Sequence, residues 1–211
     1  MIIATKPELE KAAKHLSKHD PRLEIVITSA GLPALKPRDN YYASLIGSII
    51  SQQLSVKAAD TIEKRFLALF DSDLPRPEAI LSKSIDELRA VGLSNAKANY
   101  IRDLAQNIID GRLKFELFKS LSNDEIIAEL TTVKGIGVWT AHMFLMFCMG
   151  RLDILAIGDL GIRNGIKSLY DLKELPSPQM VEKIAKKYGW RPYESAACWY
   201  IWHSLDNASK V

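Results

Sequence analysis

The stretch Val133-Lys134-Gly135-Ile136-Gly137-Val138-Trp139-Thr140-Ala141 places two glycines, one residue apart, between two helical patterns. Glycine adopts positive φ angles and has no Cβ to stand between its backbone and a ligand. The stretch therefore predicts a helix–hairpin–helix whose outward-facing amides can bind one phosphate; they belong to Gly135, Gly137 and Thr140. Carbonyls of the same turn can hold a monovalent cation that bridges to the phosphate; they belong to Thr131, Val133 and Ile136. A bare Gly-x-Gly leaves open the alternative of a helical corner without a ligand.

Outward from the hairpin, the apolar pattern is helical almost throughout. Residues from Ile46 to Leu54 recur at three- and four-residue steps, which indicates one helical face. Further helix starts are predicted at serines that precede such faces; they are Ser55, Ser84, Ser94, Ser122 and Ser177. Segment 23–28 is the one strand-like stretch, and we interpret it as helical or irregular because a lone strand leaves its backbone groups unpaired.

These patterns predict an all-α protein of about ten short helices in two lobes around a cleft. We expect residues 37–143 to form a lobe that contains the hairpin. Residues 1–36 and 144–211 are expected to form the second lobe.

Composition narrows the function classes. The formal net charge of +3 permits nucleic-acid binding without requiring it. Cys148 and Cys198 lie among apolar residues without a Cys-x-x-Cys spacing, so we expect buried free thiols and no iron–sulfur or zinc site. The chain start lacks an apolar signal core, and the apolar run 141–149 is too short for a bilayer. We expect a cytoplasmic protein; if the chain acts on DNA, it would be associated with the nucleoid in a prokaryote or be nuclear in a eukaryote.

A carboxylate follows the hairpin at Asp159, 22 residues after Gly137. One helix and a short return loop fill this interval, and the spacing can bring the carboxylate back beside the hairpin. Asp159 also precedes a new helical pattern, so an N-cap is the simpler interpretation. The two roles are compatible.

The longer string Gly-Ile-Gly-x-Trp-Thr-Ala resembles the hairpin of the helix-hairpin-helix (HhH-GPD) superfamily of DNA glycosylases. It is typical of the alkylated-base branch, the 3-methyladenine DNA glycosylase II-like enzymes. The resemblance runs from about Tyr41 to Trp202 and includes the segments 50–55, 91–98, 158–163 and 190–202. No N-terminal β-rich domain is evident, so the chain is similar to the compact, all-helical members of this branch.

The resemblance implies a monofunctional glycosylase of base excision repair that hydrolyses alkylated purines, of the 3-methyladenine and 7-methylguanine type, from double-stranded DNA. Asp159 would stabilise positive charge on the sugar and orient or deprotonate the attacking water. Trp139 stands where strand-cutting relatives carry a Schiff-base lysine. The enzyme is expected to be a monomer that requires no cofactor, with Na⁺ or K⁺ held at the hairpin.

The resemblance also assigns DNA-contacting residues. The base pocket would be lined by Trp139, Met143, Trp202 and Gln53. Asn95 would be the wedge that fills the space of the flipped base, where it can hydrogen-bond the orphaned base. The alternatives for it are a helix cap and a turn residue. Phosphates would contact Gly135, Gly137, Thr140, Lys134, Lys97 and Arg163.

Two other functions remain open at the level of sequence. One is a glycosylase for deaminated or mismatched bases, since the pocket shape that sets selectivity cannot be inferred from sequence. The other is a non-catalytic helix-hairpin-helix DNA-binding protein, against which Asp159 and the pocket tryptophans argue.

Overall fold

The computed structural model describes residues 1–70 and 72–208. Its α-helices are α1 (Lys6–His19), α2 (Pro21–Ala30), α3 (Tyr41–Ser51), α4 (Val56–Leu67), α5 (Pro77–Ser82), α6 (Ile85–Ala90), α7 (Asn95–Ile109), α8 (Asn123–Thr131), α9 (Val138–Met143), α10 (Leu160–Leu169), α11 (Pro178–Lys187) and α12 (Glu194–Ala208). A 3₁₀ turn covers Phe115–Leu117, and a π-helical turn, Phe144–Cys148, follows α9. Within the described residues there is no β-strand, only an isolated bridge between Ile3 and Arg151. The all-α prediction is confirmed, with twelve helices in the described chain rather than about ten.

The chain divides into two compact units. The terminal unit consists of Met1–Asp39 and Leu145–Val211, and the central unit is Asn40–Phe144. The terminal unit contains α1, α2 and α10 to α12, whereas the central unit contains α3 to α9. The hairpin thus belongs to the central unit and Asp159 to the terminal unit.

Local signals set most helix starts. The hydroxyl of every predicted capping serine accepts a hydrogen bond from an amide in the first turn of its helix. Ser84 and Ser122 complete capping boxes, in which a glutamate side chain accepts from the serine backbone amide. Segment 23–28 lies in α2, so the helical interpretation is confirmed.

The face expected to continue to Leu54 is interrupted. Helix α3 ends at Ser51, and Gln53 adopts a left-handed φ of 57° in the turn that follows. The apolar step pattern therefore extends past the helix it predicts, because it cannot register a change of backbone conformation.

The core of the central unit packs α3 against α4 and α7. Four apolar side chains of α3 are fully or almost fully buried, namely Leu45, Ile46, Ile49 and Ile50. An aromatic cluster closes another side of this unit, where the Tyr41, Phe118 and Phe144 rings lie 5.5 to 6.2 Å apart. Burying each large apolar side chain contributes about 1.5–3 kcal/mol, so this packing stabilises the arrangement of α3, α4 and α7.

The core of the terminal unit depends on close approach of α10 and α12. A Cβ at Gly165 would lie 2.4 Å from Cγ2 and 3.0 Å from the carbonyl oxygen of Ile201. Only glycine allows the two helices to pack at this distance. Beside them, the buried Asp20 accepts hydrogen bonds from the amides of α2, from Trp190 Nε1 at 2.7 Å and from the Tyr170 hydroxyl.

Among the described residues, no helix is long and apolar enough to cross a membrane.

Candidate active site and hairpin

The hairpin between α8 and α9 uses its two glycines for different reasons. Gly135 has a φ of +83°, and a Cβ there would lie 2.1 Å from Cδ2 of Tyr100. Gly137 has an ordinary φ of −93°, and a Cβ there would meet nothing within 4 Å. Gly135 is therefore required by the fold, whereas Gly137 leaves open space beside the first amides of α9.

Helix α9 begins without a capping side chain. Its N-cap is Gly137, which offers no acceptor to the amides of the first turn. At the start of a helix, an anion is a partner that the helix dipole favours. Thr140 lies in this turn with its side chain buried. The local geometry therefore suits the predicted phosphate contact, which stays a prediction.

Two side chains hold the hairpin backbone from outside it. Gln52 Nε2 donates to the carbonyl of Gly135 at 2.8 Å. Asp103 accepts from the amide of Lys134 at 2.9 Å through Oδ2, and the Lys134 ammonium lies 3.8 Å from Oδ1. The Lys134 side chain is 76% exposed, so it can still reach a phosphate. Tyr100 and Asp103 were missed at the sequence level, because only folding brings α7 to the hairpin.

Two of the predicted phosphate-binding cations have other partners. Lys97 Nζ donates to the carbonyls of Ile50 and Gln52 at 2.8 and 2.6 Å, where α3 ends. Burial lowers the pKa of Lys97 from its ordinary value. Arg163 Nε donates to the carbonyl of Pro176 at 2.7 Å. Lys97 therefore binds carbonyls at a helix C-terminus, and its phosphate contact stays a prediction.

The predicted wedge is exposed at the start of a helix. Asn95 is the first residue of α7, and Ser94 rather than Asn95 provides the cap. The turn-residue alternative therefore does not describe Asn95. Gln53 has a left-handed backbone conformation, and its side chain is exposed. The side chain of its neighbour Gln52 instead donates to the backbone carbonyl of Gly135.

Asp159 and Trp202 form a pair in the terminal unit. Asp159 caps α10, and its Oδ1 accepts from the amide of Ile162 at 2.8 Å and from Trp202 Nε1 at 2.9 Å. The N-cap interpretation is confirmed. The residue is only 8% exposed. A carboxylate held this way is fixed in direction and poorly hydrated, so it can interact strongly with a nearby positive charge.

A small residue makes this pair possible. A Cβ at Gly161 would lie 2.9 Å from Trp202 Nε1 and 3.0 Å from Asp159 Oδ1. The Trp202 ring also lies 5.9 Å from the ring of Phe147, tilted by 32°. The indole that we expected to stack on a base thus has its N–H directed at the acid. The spacing Gly161-x-x-x-Gly165 could have indicated a close helix contact, but not its partner.

The remaining predicted pocket residues lie on α9. Trp139 is 53% exposed, which is unusual for so large an apolar side chain, and Met143 follows one turn later, half-buried. The large exposed ring offers stacking area for a planar group.

Among the described residues, the structure gives no support to a cysteine nucleophile or to a metal site built from His, Cys, Asp and Glu side chains. Burial raises the pKa of Cys198 to about 12, which keeps its thiol protonated. Both cysteines are buried, as expected, and neither is in a disulfide bond. No group of His, Cys, Asp or Glu among the described residues could hold a metal ion. The carbonyls of Thr131, Val133 and Ile136 are neutral oxygens that suit a hard cation. One of them, Val133, also accepts the Ile136 amide at 3.1 Å, which leaves it a second lone pair.

Comparisons with known proteins identify the family of the chain. Residues 46–191 match the family described as HhH-GPD superfamily base excision DNA repair protein. The chain is similar to DNA-3-methyladenine glycosylase 1 of Schizosaccharomyces pombe, with 35% identity over 201 residues that cover 92% of this chain and 86% of that protein.

Two solved structures are also similar. DNA-3-methyladenine glycosidase from Bacillus halodurans superimposes with a TM-score of 0.84 at 38% identity, covering 94% of this chain and 91% of the other. The 3-methyladenine DNA glycosylase of Schizosaccharomyces pombe, solved in complex with abasic DNA, gives a TM-score of 0.81 at 34% identity, covering 93% and 97%.

Proposed function

Because the chain belongs to the HhH-GPD superfamily of base excision DNA repair proteins, we propose that it is a monofunctional DNA glycosylase. It hydrolyses the N-glycosidic bond of alkylated purines, of the 3-methyladenine and 7-methylguanine type, in double-stranded DNA. The observation that carries the proposal is the buried Asp159 carboxylate, oriented by Trp202 and by the first turn of α10. The similarity to named 3-methyladenine glycosylases supports the substrate class.

The carboxylate has a defined task in this chemistry. Breaking the bond between sugar and base leaves an oxocarbenium-like positive charge on the sugar. A fixed carboxylate stabilises that charge without having to reorganise, and it can orient or deprotonate the attacking water. The oxygen of this water joins C1′ of the sugar, and the base departs with the bonding electron pair. Alkylation has already weakened the bond, so one acidic group suffices.

Trp139 supports a reaction that stops at the abasic site. Strand cleavage by a glycosylase requires an amine that attacks the sugar and forms a Schiff base. A tryptophan at this position has no such amine, and its exposed ring is proposed instead to stack on the flipped base, a contact worth roughly 1–3 kcal/mol.

The hairpin is proposed to bind the DNA backbone. The uncapped start of α9 and the space beside Gly137 support a phosphate contact, with Lys134 as an accessory cation. The carbonyls of the turn would hold Na⁺ or K⁺ as a bridge. We propose that the enzyme acts as a monomer, in the compartment that holds the DNA.

The decisive experiment compares base release by the wild type and by Asp159→Asn. Asparagine keeps an oxygen that can accept from Ile162 and Trp202, so the fold and DNA binding should persist while the charge is lost. We expect release of free methylated bases from alkylated DNA to fall by about 10²–10³-fold, as for the loss of one transition-state contact. Asp171→Asn, which changes an acid paired with Arg22 at the surface of the same unit, is the matched control and should release bases at the wild-type rate.

Each outcome has a clear meaning. Wild-type protein that binds DNA and releases no methylated base would refute the proposed activity and favour a non-catalytic DNA-binding protein. Release from mismatched or deaminated DNA alone would support the alternative substrate class. A covalent adduct trapped with borohydride would contradict the monofunctional assignment.

A further inference from the structure

Helix α7 directs three side chains toward the hairpin and the turn beside it. They are Lys97, Tyr100 and Asp103, which we call the α7 stripe. Residues three apart lie on neighbouring positions of a helix surface, so the stripe is a continuous face. Every residue of the stripe, the hairpin and the turn lies in the central unit.

Tyr100 supports the hairpin sterically. Its ring lies where a side chain of residue 135 would point, 2.1 Å from the position of an added Cβ. The Tyr100 ring therefore packs directly against the backbone of Gly135, which has a left-handed φ of +83°. With the ring in this position, only glycine fits at residue 135.

Asp103 holds the hairpin electrostatically. Its Oδ2 accepts from the Lys134 amide at 2.9 Å, and Asn107 Nδ2 donates to the same oxygen at 3.2 Å. The carboxylate thus binds the amide that directly precedes Gly135. This fixes the direction in which the following amides of the turn point.

Lys97 completes the stripe through the turn after α3. Its ammonium binds the carbonyls of Ile50 and Gln52, and the Gln52 side chain donates to the carbonyl of Gly135. The hairpin is therefore held at Lys134 and Gly135 by contacts that all lead back to α7. The wedge candidate Asn95 is the first residue of the same helix.

We propose that the α7 stripe positions the hairpin for phosphate binding and ties it rigidly to the wedge. The three side chains are positioning residues that touch neither the base nor the sugar. Because they sit on the helix that begins with Asn95, the distance between wedge and phosphate contact is set by one helix. This inference deepens the proposed function and rests on it.

The test uses the opposite signs of two effects at Asp103. Removing a negative charge by itself strengthens attraction to DNA. Loss of the hydrogen bond between Asp103 and the Lys134 amide should weaken DNA binding, because the hairpin is then held less firmly. We expect Asp103→Ala to bind a duplex with a tetrahydrofuran abasic analogue about tenfold more weakly, as for the loss of a hydrogen bond to a charged group. We expect Asp103→Asn, which retains an oxygen for the Lys134 amide, to recover most of the affinity.

A control on the same helix separates charge from position. Asp110 follows the end of α7 and bonds to Gln106 and Arg112 rather than to the hairpin. Asp110→Ala removes the same charge and should bind the duplex as tightly as the wild type or slightly more tightly. Tighter binding by Asp103→Ala as well would overturn the proposal.

The link to the wedge is tested by a double-mutant cycle. Asn95→Ala and Tyr100→Ala are measured singly and together for base release, with Tyr100→Phe as the variant that keeps the ring. If one support carries both functions, the double variant should lose less activity than the product of the two single losses. Independent, multiplicative losses would contradict the rigid link.

These measurements distinguish the two proposals. If wild-type protein releases methylated bases and the stripe variants match it in binding and rate, the inference fails and the proposed function stands. If the wild type releases no base, the proposed function fails, while the affinity series on the abasic duplex still reports on the hairpin.

Discussion

At the scale of single residues, Asp159 and Trp202 show how a local signal and a tertiary contact converge. Asp159 is placed by its role as the cap of α10, which depends on three residues of sequence. The indole of Trp202 comes from a helix that begins 35 residues later, and its N–H reaches the same oxygen. A hydrogen bond to a charged acceptor contributes about 1.5–3 kcal/mol, so this contact is strong enough to decide the direction of the carboxylate.

Trp202→Phe should therefore lower base release by about tenfold or more, because the ring stays and the donor is lost. The loss should appear in kcat, with little change in KM, since the carboxylate acts on the transition state. Single-turnover release from methylated DNA measures it. Trp199→Phe alters an indole of the same helix that stacks on His203, and it should leave the rate unchanged. Equal losses in both variants would mean that the helix, and not the hydrogen bond, is responsible.

At the scale of elements, the hairpin shows that two glycines of one turn can serve different purposes. Gly135 is required by its φ and by the Tyr100 ring, whereas the space beside Gly137 is open. A methyl group at Gly135 would overlap the Tyr100 ring. A methyl group at Gly137 would lie beside the amides proposed to bind phosphate.

Gly135→Ala should lower the melting temperature by several degrees, since strain from a positive φ costs about 1–3 kcal/mol and the ring contact adds to it. Gly137→Ala should melt like the wild type and bind DNA several-fold more weakly. Thermal melting and titration with duplex DNA measure both effects on the same samples. Unchanged DNA affinity of Gly137→Ala would argue against the phosphate contact.

The elements also mark the limit of prediction from sequence. Capping serines were located correctly because a cap involves only the first turn of its own helix. Helix α1 was not predicted, although Thr5 and Glu8 carry the spacing of a capping box. The turn at Gln53 was missed because apolar periodicity does not register backbone conformation.

The site could be predicted in part. Asp159 followed from its motif, and Trp202 was named as a functional residue with a different contact. The roles of Lys97, Tyr100 and Asp103 could not be foreseen, because they depend on α7 lying against a hairpin more than 30 residues away. Long-range contacts of this kind leave no periodic trace in the sequence.

At the scale of the whole molecule, one buried carboxyl links stability to pH. Glu194 is 7% exposed at the start of α12, and its Oε2 has no hydrogen-bond partner among the described residues. Burial raises its pKa, Asp153 raises it further, and Arg191 and His15 act in the opposite direction. The helix N-terminus favours a negative charge by about 0.3–1 kcal/mol, which the desolvation of a buried carboxylate exceeds.

The sign of the pH effect follows from the raised pKa. Between the ordinary glutamate pKa and the higher folded value, the folded state binds more protons than the unfolded state, so stability falls as pH rises. Glu194→Gln should remove this dependence. At neutral pH it should be more stable than the wild type by about 1 kcal/mol, and the two proteins should converge in acid. Urea unfolding across this pH range tests the prediction, which a constant difference between the proteins would contradict.

The close packing around Gly161 predicts how a variant with a larger residue at this position would behave. A methyl group at Gly161 would press on the indole nitrogen of Trp202 and on Asp159, which belong to the terminal unit, whereas the hairpin belongs to the central unit. We expect such a protein to keep its affinity for lesions while losing turnover, so that it would occupy damaged sites and shield them from other repair. Screens that score only abundance or DNA retention would not detect this loss of turnover.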